Sequence, residues 1–487
     1  MRYILNMEKK IIRNIHLVLM LLLGFSSQAQ SKKWTLEECV DYAVKNNISI
    51  KQADLDNKIA LIEKSTATGN FLPTLNANSN HSWNIGLNQN ITTGLLQNQT
   101  TQFTAAGLSS NIDLYNGLQN QNRLRRANLS VVAAQYQLVK MKDDISLNVA
   151  NAFLQILFNK ENVKVQREQM ENNEKQLNRS QELVAAGMVP KGDLLDIKAT
   201  LASNKQAVVT AENALLISKL SLAQLLQLDN FQDFDIAASG SDINESTILT
   251  QSPSSIFEKA RQERIELKLA KTNMEIAQSD LKIAKGAYQP SLQGFYSFST
   301  RAGYSDRFLG SKLNTAIPPN VIGYVEGTNQ MVLQPSFSPI LGKALPLLEQ
   351  FDNNKGHSFG IQLSIPILNG FAVSNNVART KVALERSEIA FSQQELDLER
   401  NVYTAFADAK GAMKTYESAI VALEARQEAY DYAKEKYAVG MMNAFDFNQS
   451  QTLLVNAQSE VLRTKYDYMF RVKVLAFYFG IPIIQKQ

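Results

Sequence analysis

Cysteine and histidine are almost missing from this chain of 487 residues. Cys39 is the single cysteine, so no disulfide can form within the chain. Of the three histidines, His16 lies in the N-terminal leader, which leaves His81 and His357. One cysteine and two histidines are a poor supply of zinc ligands and of general bases. The composition therefore predicts no metal site, no cofactor and no catalysis.

The chain also lacks the short motifs of common catalytic and nucleotide-binding sites. We find no HExxH, GxSxG or P-loop sequence. The formal net charge of +4 is spread along the chain without a dense Lys/Arg cluster, so no nucleic-acid partner is predicted. A hydrophobic content of 45% with 20% charged residues excludes a disordered polypeptide. Neither an enzyme nor a nucleic-acid-binding protein is supported.

Long apolar runs are absent apart from one near the N-terminus. Lys9, Lys10 and Arg13 precede about ten apolar residues, and Ser27 and Ala29 then provide small residues for cleavage. This pattern predicts a secretory signal peptide over residues 1–29. A membrane anchor is the weaker alternative, because the run is shorter than the ~20 residues that a transmembrane helix needs. The mature chain is expected to leave the cytoplasm.

Glycine and proline are missing from two very long segments. Residues 118–186 contain neither, and residues 371–439 contain only Gly411. At ~1.5 Å per residue, each segment predicts a helix about 100 Å long. Shorter helices are predicted over 35–70 and 194–228; stacked end to end, these two would have the length of one long helix and could pack beside it. A seven-residue apolar period, typical of supercoiled helices, follows toward the end of each. It comprises Ile156, Val163, Met170, Leu177 and Val184 in the first segment, and Ala409, Tyr416, Leu423, Tyr430 and Tyr437 in the second. The wall of a water-filled tube and a plain coiled-coil rod both fit this pattern.

The second half of the chain repeats the first at fixed offsets. Matching residues of the two copies lie 217 positions apart as far as Pro73 and Pro290. From "IDLYNG" in the first copy and "IPILNG" in the second, matching residues lie 253 positions apart. The second copy therefore has 36 extra residues, which we expect in a surface loop over roughly 301–357. The predicted organisation is a signal peptide (1–29), a first repeat (30–230), a linker (231–253) and a second repeat (254–487).

Alternating polar and apolar residues predict two strands in each copy. The predicted strands cover about 71–89 and 103–115 in the first copy and about 290–300 and 358–368 in the second. One apolar face and one Asn-rich face suit a strand between lipid and water; a half-buried strand of a soluble sheet fits equally well. Four strands cannot close a barrel in lipid, where open sheet edges are excluded. If these strands span a membrane, several copies must share one barrel.

Taken in order, these features resemble the TolC-type outer-membrane efflux channels, over nearly all of the mature chain. The resemblance is carried by "FLPTL" and "YQPSL", by "IDLYNG" and "IPILNG", and by turns at Gly187 and Gly440. It implies a mainly α protein with β structure: an internally duplicated strand–helix repeat forming a homotrimer. In that trimer, a 12-stranded outer-membrane β-barrel continues into a long periplasmic α-helical barrel.

The resemblance further implies a passive exit duct of a tripartite efflux or type I secretion system. Its partners would be a periplasmic adaptor (membrane fusion) protein, an inner-membrane pump and outer-membrane lipid. The alternative is a secreted periplasmic coiled-coil adaptor or structural scaffold without a pore, although an adaptor should have one long hairpin, whereas this chain has two.

Candidate site residues follow from the same resemblance and lie at the turns after the two long helices. In the family, acidic residues just past this turn ring the periplasmic aperture, and adaptor helices dock around it. The matching aperture positions are Asp193, Asp196, Asp446 and Gln449, and the positions for the helix turn and adaptor docking are Gly187, Met188, Gly440 and Met441. Gln449 departs from the acidic pattern. Asp193 and Asp446 also fit helix N-caps, and both roles can coexist.

Overall fold

The computed structural model describes residues 33–89, 94–237 and 247–481. The predicted signal peptide and the middle of the predicted linker lie outside the described residues. The helices are α1 (Leu36–Asn46), α2 (Ile48–Gly69), α3 (Gln119–Ala185), α4 (Lys191–Leu226), α5 (Pro253–Glu263), α6 (Ile265–Gly286), α7 (Leu347–Asn353), α8 (Ala372–Ala438) and α9 (Ala444–Tyr478). The strands are β1 (Lys33–Trp34), β2 (Thr74–Gln89), β3 (Leu96–Asn116), β4 (Asp235–Ile236), β5 (Ser291–Gly303), β6 (Arg307–Leu313), β7 (Asn320–Tyr324), β8 (Met331–Gln334), β9 (Phe337–Gly342) and β10 (Gly356–Ser364).

The two long helices, α3 and α8, each have 67 residues and end within one residue of the predicted bounds. The seven-residue seam of α3 is only partly as predicted. Ile156 and Val163 are buried, but Met170, Leu177 and Val184 are half-buried. Asn173 and Ser180 take the buried positions instead, because the buried face of a helix with 3.6 residues per turn drifts from a strict seven-residue repeat.

The short helices of each copy are broken at equivalent positions. The sequence predicted one helix over 35–70, but α1 and α2 are separated at Asn47, whose ψ is 132°. Asn47 Oδ1 accepts a hydrogen bond from Ser49 N at 2.9 Å, and Asn47 Nδ2 donates to Leu225 O at 3.0 Å. Arg264, 217 positions later, separates α5 from α6 with ψ 131°. The unbroken helix was wrong because no glycine or proline marks the break.

The four-stranded sheet draws on both copies. Its order is β10-β5-β3-β2, and every neighbouring pair is antiparallel. It belongs to a compact unit of residues 61–129 and 275–385. Strands β2 and β3 come from the first copy, and β5 and β10 come from the second, so each copy contributes half of the sheet.

The second compact unit contains the described residues up to 60, 130–274 and from 386 onward. It holds two apolar clusters, one around Val149 and Leu222 and the other around Val402 and Leu475. These four side chains are fully buried. Val402 lies 253 positions after Val149, and Leu475 lies 253 positions after Leu222, so the same positions of the repeat build the core in both copies.

The excess segment of the second copy is not an open loop, so that prediction was wrong. Within 301–357, β6 pairs with β9, β7 pairs with β8, and α7 follows. Gln350 Nε2 donates to Gly303 O and Gln350 Oε1 accepts from Gly303 N, both at 2.9 Å. Asn354 Nδ2 donates to Arg301 O at 2.7 Å. These side chains bond the β5 backbone beyond the end of β10 and hold α7 against β5.

Two lysines hold the chain after α4 against the helices. Lys160 Nζ and Lys219 Nζ each lie 2.9 Å from a carboxylate oxygen of Asp235. Lys160 also donates to Ile236 O at 3.0 Å. Partial burial opposes ionisation of Asp235, but the hydrogen bonds from both lysines lower its pKa below the usual value. The carboxylate is therefore ionised in the folded protein over most of the pH range.

We expect Asp235→Asn to destabilise the protein by about 1–3 kcal/mol, because both lysines stay charged and lose their partner. Thermal unfolding in detergent, followed by circular dichroism, should show a lower midpoint at pH 7. Asp229→Asn, a change at an exposed site, is the matched control. Since folding lowers the pKa of Asp235, its contribution is present above about pH 4 and is lost as the pH falls through the folded-state pKa. Equal midpoints for the parent and Asp235→Asn at pH 7 would contradict this.

Candidate functional site

The four-stranded sheet has one apolar and one polar face. Residues paired across antiparallel strands project from the same face. By this register the mainly apolar face has Leu75, Trp83, Ile85, Leu87, Leu108, Ile112, Tyr296, Phe298, Phe359, Ile361 and Leu363, interrupted by polar residues that include Ser79, His81, Gln102, Thr104, Ser110 and His357. The polar face has Asn76, Asn78, Asn80, Ser82, Asn84, Ser109, Asn111, Gln293, Ser297, Ser299 and Gln362, interrupted by Phe103 and Phe295. Ile85 and Phe359 are 82% and 80% exposed, so the single chain leaves the apolar face uncovered.

Both edges of this sheet are open within one chain. β2 at one edge and β10 at the other each have a strand neighbour on one side only. The described residues therefore form no closed barrel. A row of unpaired backbone groups on an edge strand is a template for pairing with a further strand.

The two long helices end in the same hydrogen-bonded turn. Gly187 has φ +70° and Gly440 has φ +75°, the left-handed conformation that glycine adopts without strain. Met188 N donates to Leu183 O at 2.9 Å, and Met441 N donates to Lys436 O at 2.8 Å. This six-residue bond is the Schellman ending of a helix. Met188 and Met441 are both exposed at the turns.

The four aperture candidates lie in the first turns of α4 and α9. Asp196, Asp446 and Gln449 are exposed, and Asp193 is half-exposed. Neither a hydrogen bond nor an ion pair joins any two of these four side chains in the described chain. Asn448, next to Gln449, instead points inward and approaches Thr200 of α4, with Nδ2 to Oγ1 at 3.5 Å. The structure thus puts α4 beside α9 at this level.

The N-cap assignment of the two aspartates was wrong. Helix α4 is preceded by Pro190, which makes no side-chain cap bond, and Asp193 lies inside the first turn. Helix α9 is capped by Asn443, whose Oδ1 accepts from Asp446 N at 2.8 Å. Asn443 Nδ2 in turn donates to Asp446 Oδ2 at 2.9 Å. Both helices start about three residues earlier than the sequence suggested, so the aspartates take the third position and not the cap.

Sequence reasoning missed an aromatic cluster beside the second turn. Phe447 is buried, and its ring stacks on Tyr437 with centroids 4.7 Å apart and an interplanar angle of 9°. Tyr430 precedes Tyr437 by seven residues, and the centroid of its ring lies 5.8 Å from that of Phe447. The seven-residue spacing of the two tyrosines was the available signal, and Phe447 was the missing partner across the turn.

An apolar stripe on α8 faces away from the rest of the chain. Val382, Ile389 and Leu396 follow one another at seven-residue spacing, and 60–70% of each is exposed. Tyr403 continues the stripe. Such a narrow seven-residue stripe is the surface that helices use when they pack along one another.

Two observations bear on other kinds of site. Among the described helices, none combines the length and apolarity needed to cross a membrane. In the same part of the chain, no group of three or more His, Cys, Asp or Glu side chains is arranged to hold a metal ion.

Comparison with known proteins gives consistent matches. The family model described as "Outer membrane efflux protein" matches residues 40–227 and 256–480. Outer membrane protein TolC of Escherichia coli K12 is 21% identical over 451 residues, covering 92% of this chain and 82% of that protein. Outer membrane protein TolC of Vibrio cholerae is 21% identical over 405 residues, covering 79% of each.

Solved structures have the same fold. The CmeC outer membrane channel of Campylobacter jejuni superposes with a TM-score of 0.74 at 17% identity, covering 93% of this chain and 87% of that one. The outer membrane protein VceC of Vibrio cholerae gives 0.70 at 13% identity, covering 91% and 96%. These matches indicate the outer membrane of a Gram-negative bacterium as the location. The resemblance stated from the sequence is confirmed: the chain belongs to the outer membrane efflux protein family, whose members are channels and not enzymes.

Proposed function

We propose that three copies of this chain form the exit duct of a tripartite efflux or type I secretion system. The four-stranded sheet of each copy is one third of a 12-stranded barrel in the outer membrane. The long helices form a periplasmic tube that leads to it. The observation that carries this proposal is a sheet with one apolar face, one polar face and two open edges.

The two faces fit the two sides of a membrane channel. Lipid would cover the apolar face with Leu75, Ile361 and Leu363, and water would fill the interior lined by the Asn-rich face. Strands of alternating apolar and polar residues are the signature of transmembrane barrels. Because hydrocarbon cannot satisfy open strand edges, the edges of β2 and β10 must pair with strands of other copies.

The helices offer matching contacts for the same assembly. Val382, Ile389 and Leu396 form the exposed stripe of α8, and a neighbouring copy would bury it along a helix–helix seam. Burial is favourable by about 25 cal/mol for each Å² of apolar surface removed from water. α8 also has a buried apolar face, which includes Leu398 and Val402, and many of its remaining side chains are polar, as expected for a helix that borders a water-filled tube.

The turns after the long helices are the proposed docking point for a periplasmic adaptor. Met188 and Met441 expose flexible thioethers there, and Phe445 exposes an aromatic ring beside Met441. Methionine adapts to irregular partner surfaces and is common at such contacts. An inner-membrane pump would supply the substrate, and the duct would conduct it passively to the exterior.

The assembly is tested by charging the α8 stripe. We expect Ile389→Asp with Leu396→Asp to convert the trimer largely to monomer, because two carboxylates would face an apolar seam. Ala390→Asp is the control: this residue is exposed and lies about 100° around the helix from Ile389. Native mass spectrometry in detergent reads the copy number, and planar bilayers read channel activity. A parent protein that conducts as a monomer, or that shows a solid helical bundle in a density map, would end the proposal.

The aperture is tested at Asp446. Asp446→Asn removes the charge and keeps an oxygen that accepts from Asn443, whereas Asp446→Glu keeps the charge. We expect Asp446→Asn, alone or with Asp193→Asn, to change single-channel conductance by about twofold and to weaken block by multivalent cations, with Asp446→Glu close to the parent. If the Asn variants conduct and are blocked like the parent, the aspartates have a structural role only.

A further inference from the structure

The segment inserted in the second copy forms two amphipathic ribbons. Paired residues project from one face, and in each ribbon one face is made of large apolar pairs. These pairs are Phe308 with Leu341, Leu313 with Phe337, Val321 with Leu333, and Tyr324 with Met331, with Ser311 and Pro339 between the first two. The opposite face is mainly small or polar apart from Ile340 and Val332: it pairs Arg307 with Gly342, Gly310 with Ile340, Lys312 with Ser338, Asn320 with Gln334, and Gly323 with Val332.

The apolar faces are uncovered in the single chain. Each of the eight apolar side chains is at least 47% exposed, and Tyr324 and Met331 reach 61%. Isolated two-stranded ribbons are marginally stable in water. An apolar face of this size on a protein surface marks a contact with another surface.

The strand lengths argue against lipid as the surface that covers the apolar faces of the ribbons. A transmembrane barrel has an apolar band about 25 Å tall. Strand β5 has 13 residues, which at ~3.3 Å each and a tilt of about 40° already rise roughly 30 Å. The ribbons begin at Arg307, after β5 ends at Gly303, and so lie beyond the band in the proposed channel.

A matching apolar surface protrudes at the same end of the sheet. β3 pairs with β5 only up to Phe103, whereas it pairs with β2 as far as Leu96. The β2–β3 hairpin therefore extends past the other strands, with Leu87 and Leu96 exposed on one face. β2 has 16 residues against nine in β10, so edge pairing between copies leaves at least seven residues of β2 without a β10 partner.

We propose that the ribbons of residues 307–342 pack by their apolar faces on a neighbouring copy of the chain, on its own ribbon and its β2–β3 hairpin, and form an external collar. This inference rests on the three-copy assembly proposed above. A trimer brings three ribbons and three β2–β3 hairpins to one height around one axis. The overhang of β2 then lies next to the chain that precedes β10 of its neighbour, which is α7 and the ribbons.

The collar is tested by photocrosslinking in isolated outer membranes that contain the full-length protein. Phe337→p-benzoylphenylalanine puts a photoreactive ring on the apolar face with a small change of shape. Irradiation should give adducts of two and three chain masses, with crosslinked peptides from residues 83–89, 96–103 or 307–342 of another copy. Asn320→p-benzoylphenylalanine, on the polar face, is the control and should give at least tenfold less adduct.

A separate count of copies by native mass spectrometry distinguishes the two proposals. A trimer with an inter-copy adduct at position 337 and little at position 320 supports the collar. A trimer without the adduct at 337, or with adducts to lipid or to another protein there, overturns the collar and leaves the channel proposal standing. Absence of any trimer overturns both.

Discussion

Backbone hydrogen bonding at the edges of the sheet is the constraint on which the rest of the structure depends. Four antiparallel strands leave β2 and β10 with one unpaired side each, and hydrocarbon supplies neither donor nor acceptor. The chain meets the same requirement on a smaller scale at β5, where Gln350 bonds both backbone groups of Gly303 beyond the end of β10. At the outer edges, β2 and β10 have no further strand partner in the described residues. An apolar face combined with those edges is what the proposed channel explains, because three such sheets would close one barrel.

Because the chain is duplicated, each copy provides half of the four-stranded sheet and one apolar cluster. Divergence between the copies explains how they differ. The helix break illustrates this. In the first copy, Asn47 stabilises the break with two amide hydrogen bonds. In the second, Arg264 pairs with Glu266 at 2.6 Å and lies over the Phe477 ring at 3.8 Å. The backbone geometry is the same although the side-chain chemistry has changed, so the shape of the repeat is retained through different interactions.

The sequence predicts those elements whose signal is periodic and local. The long helices were found because glycine and proline are absent from them, and the sheet faces were found because strand side chains alternate strictly. The break at Asn47 escaped because its stabilising partner, Leu225, is 178 positions away. The ribbons escaped for a related reason: their pairing joins β6 to β9 across two intervening strands. The inserted segment has no counterpart in the first copy. The change of repeat offset located the segment but carried no information about its secondary structure.

The aperture candidates show a different limit, since their effect depends on assembly and not on their own environment. Asp196, Asp446 and Gln449 are exposed and Asp193 is partly buried, and within one chain none of the four is bonded to another. Exposed charges interact strongly only within a screening length of about 8 Å at physiological ionic strength. In the proposed trimer, Asp446 repeated by a three-fold axis would act on passing ions only if the opening were no wider than about twice that length. The identity of Gln449 would then matter less than the radius of the opening, which the packing of α4 and α9 would set through buried contacts such as those of Phe447 and Asn448.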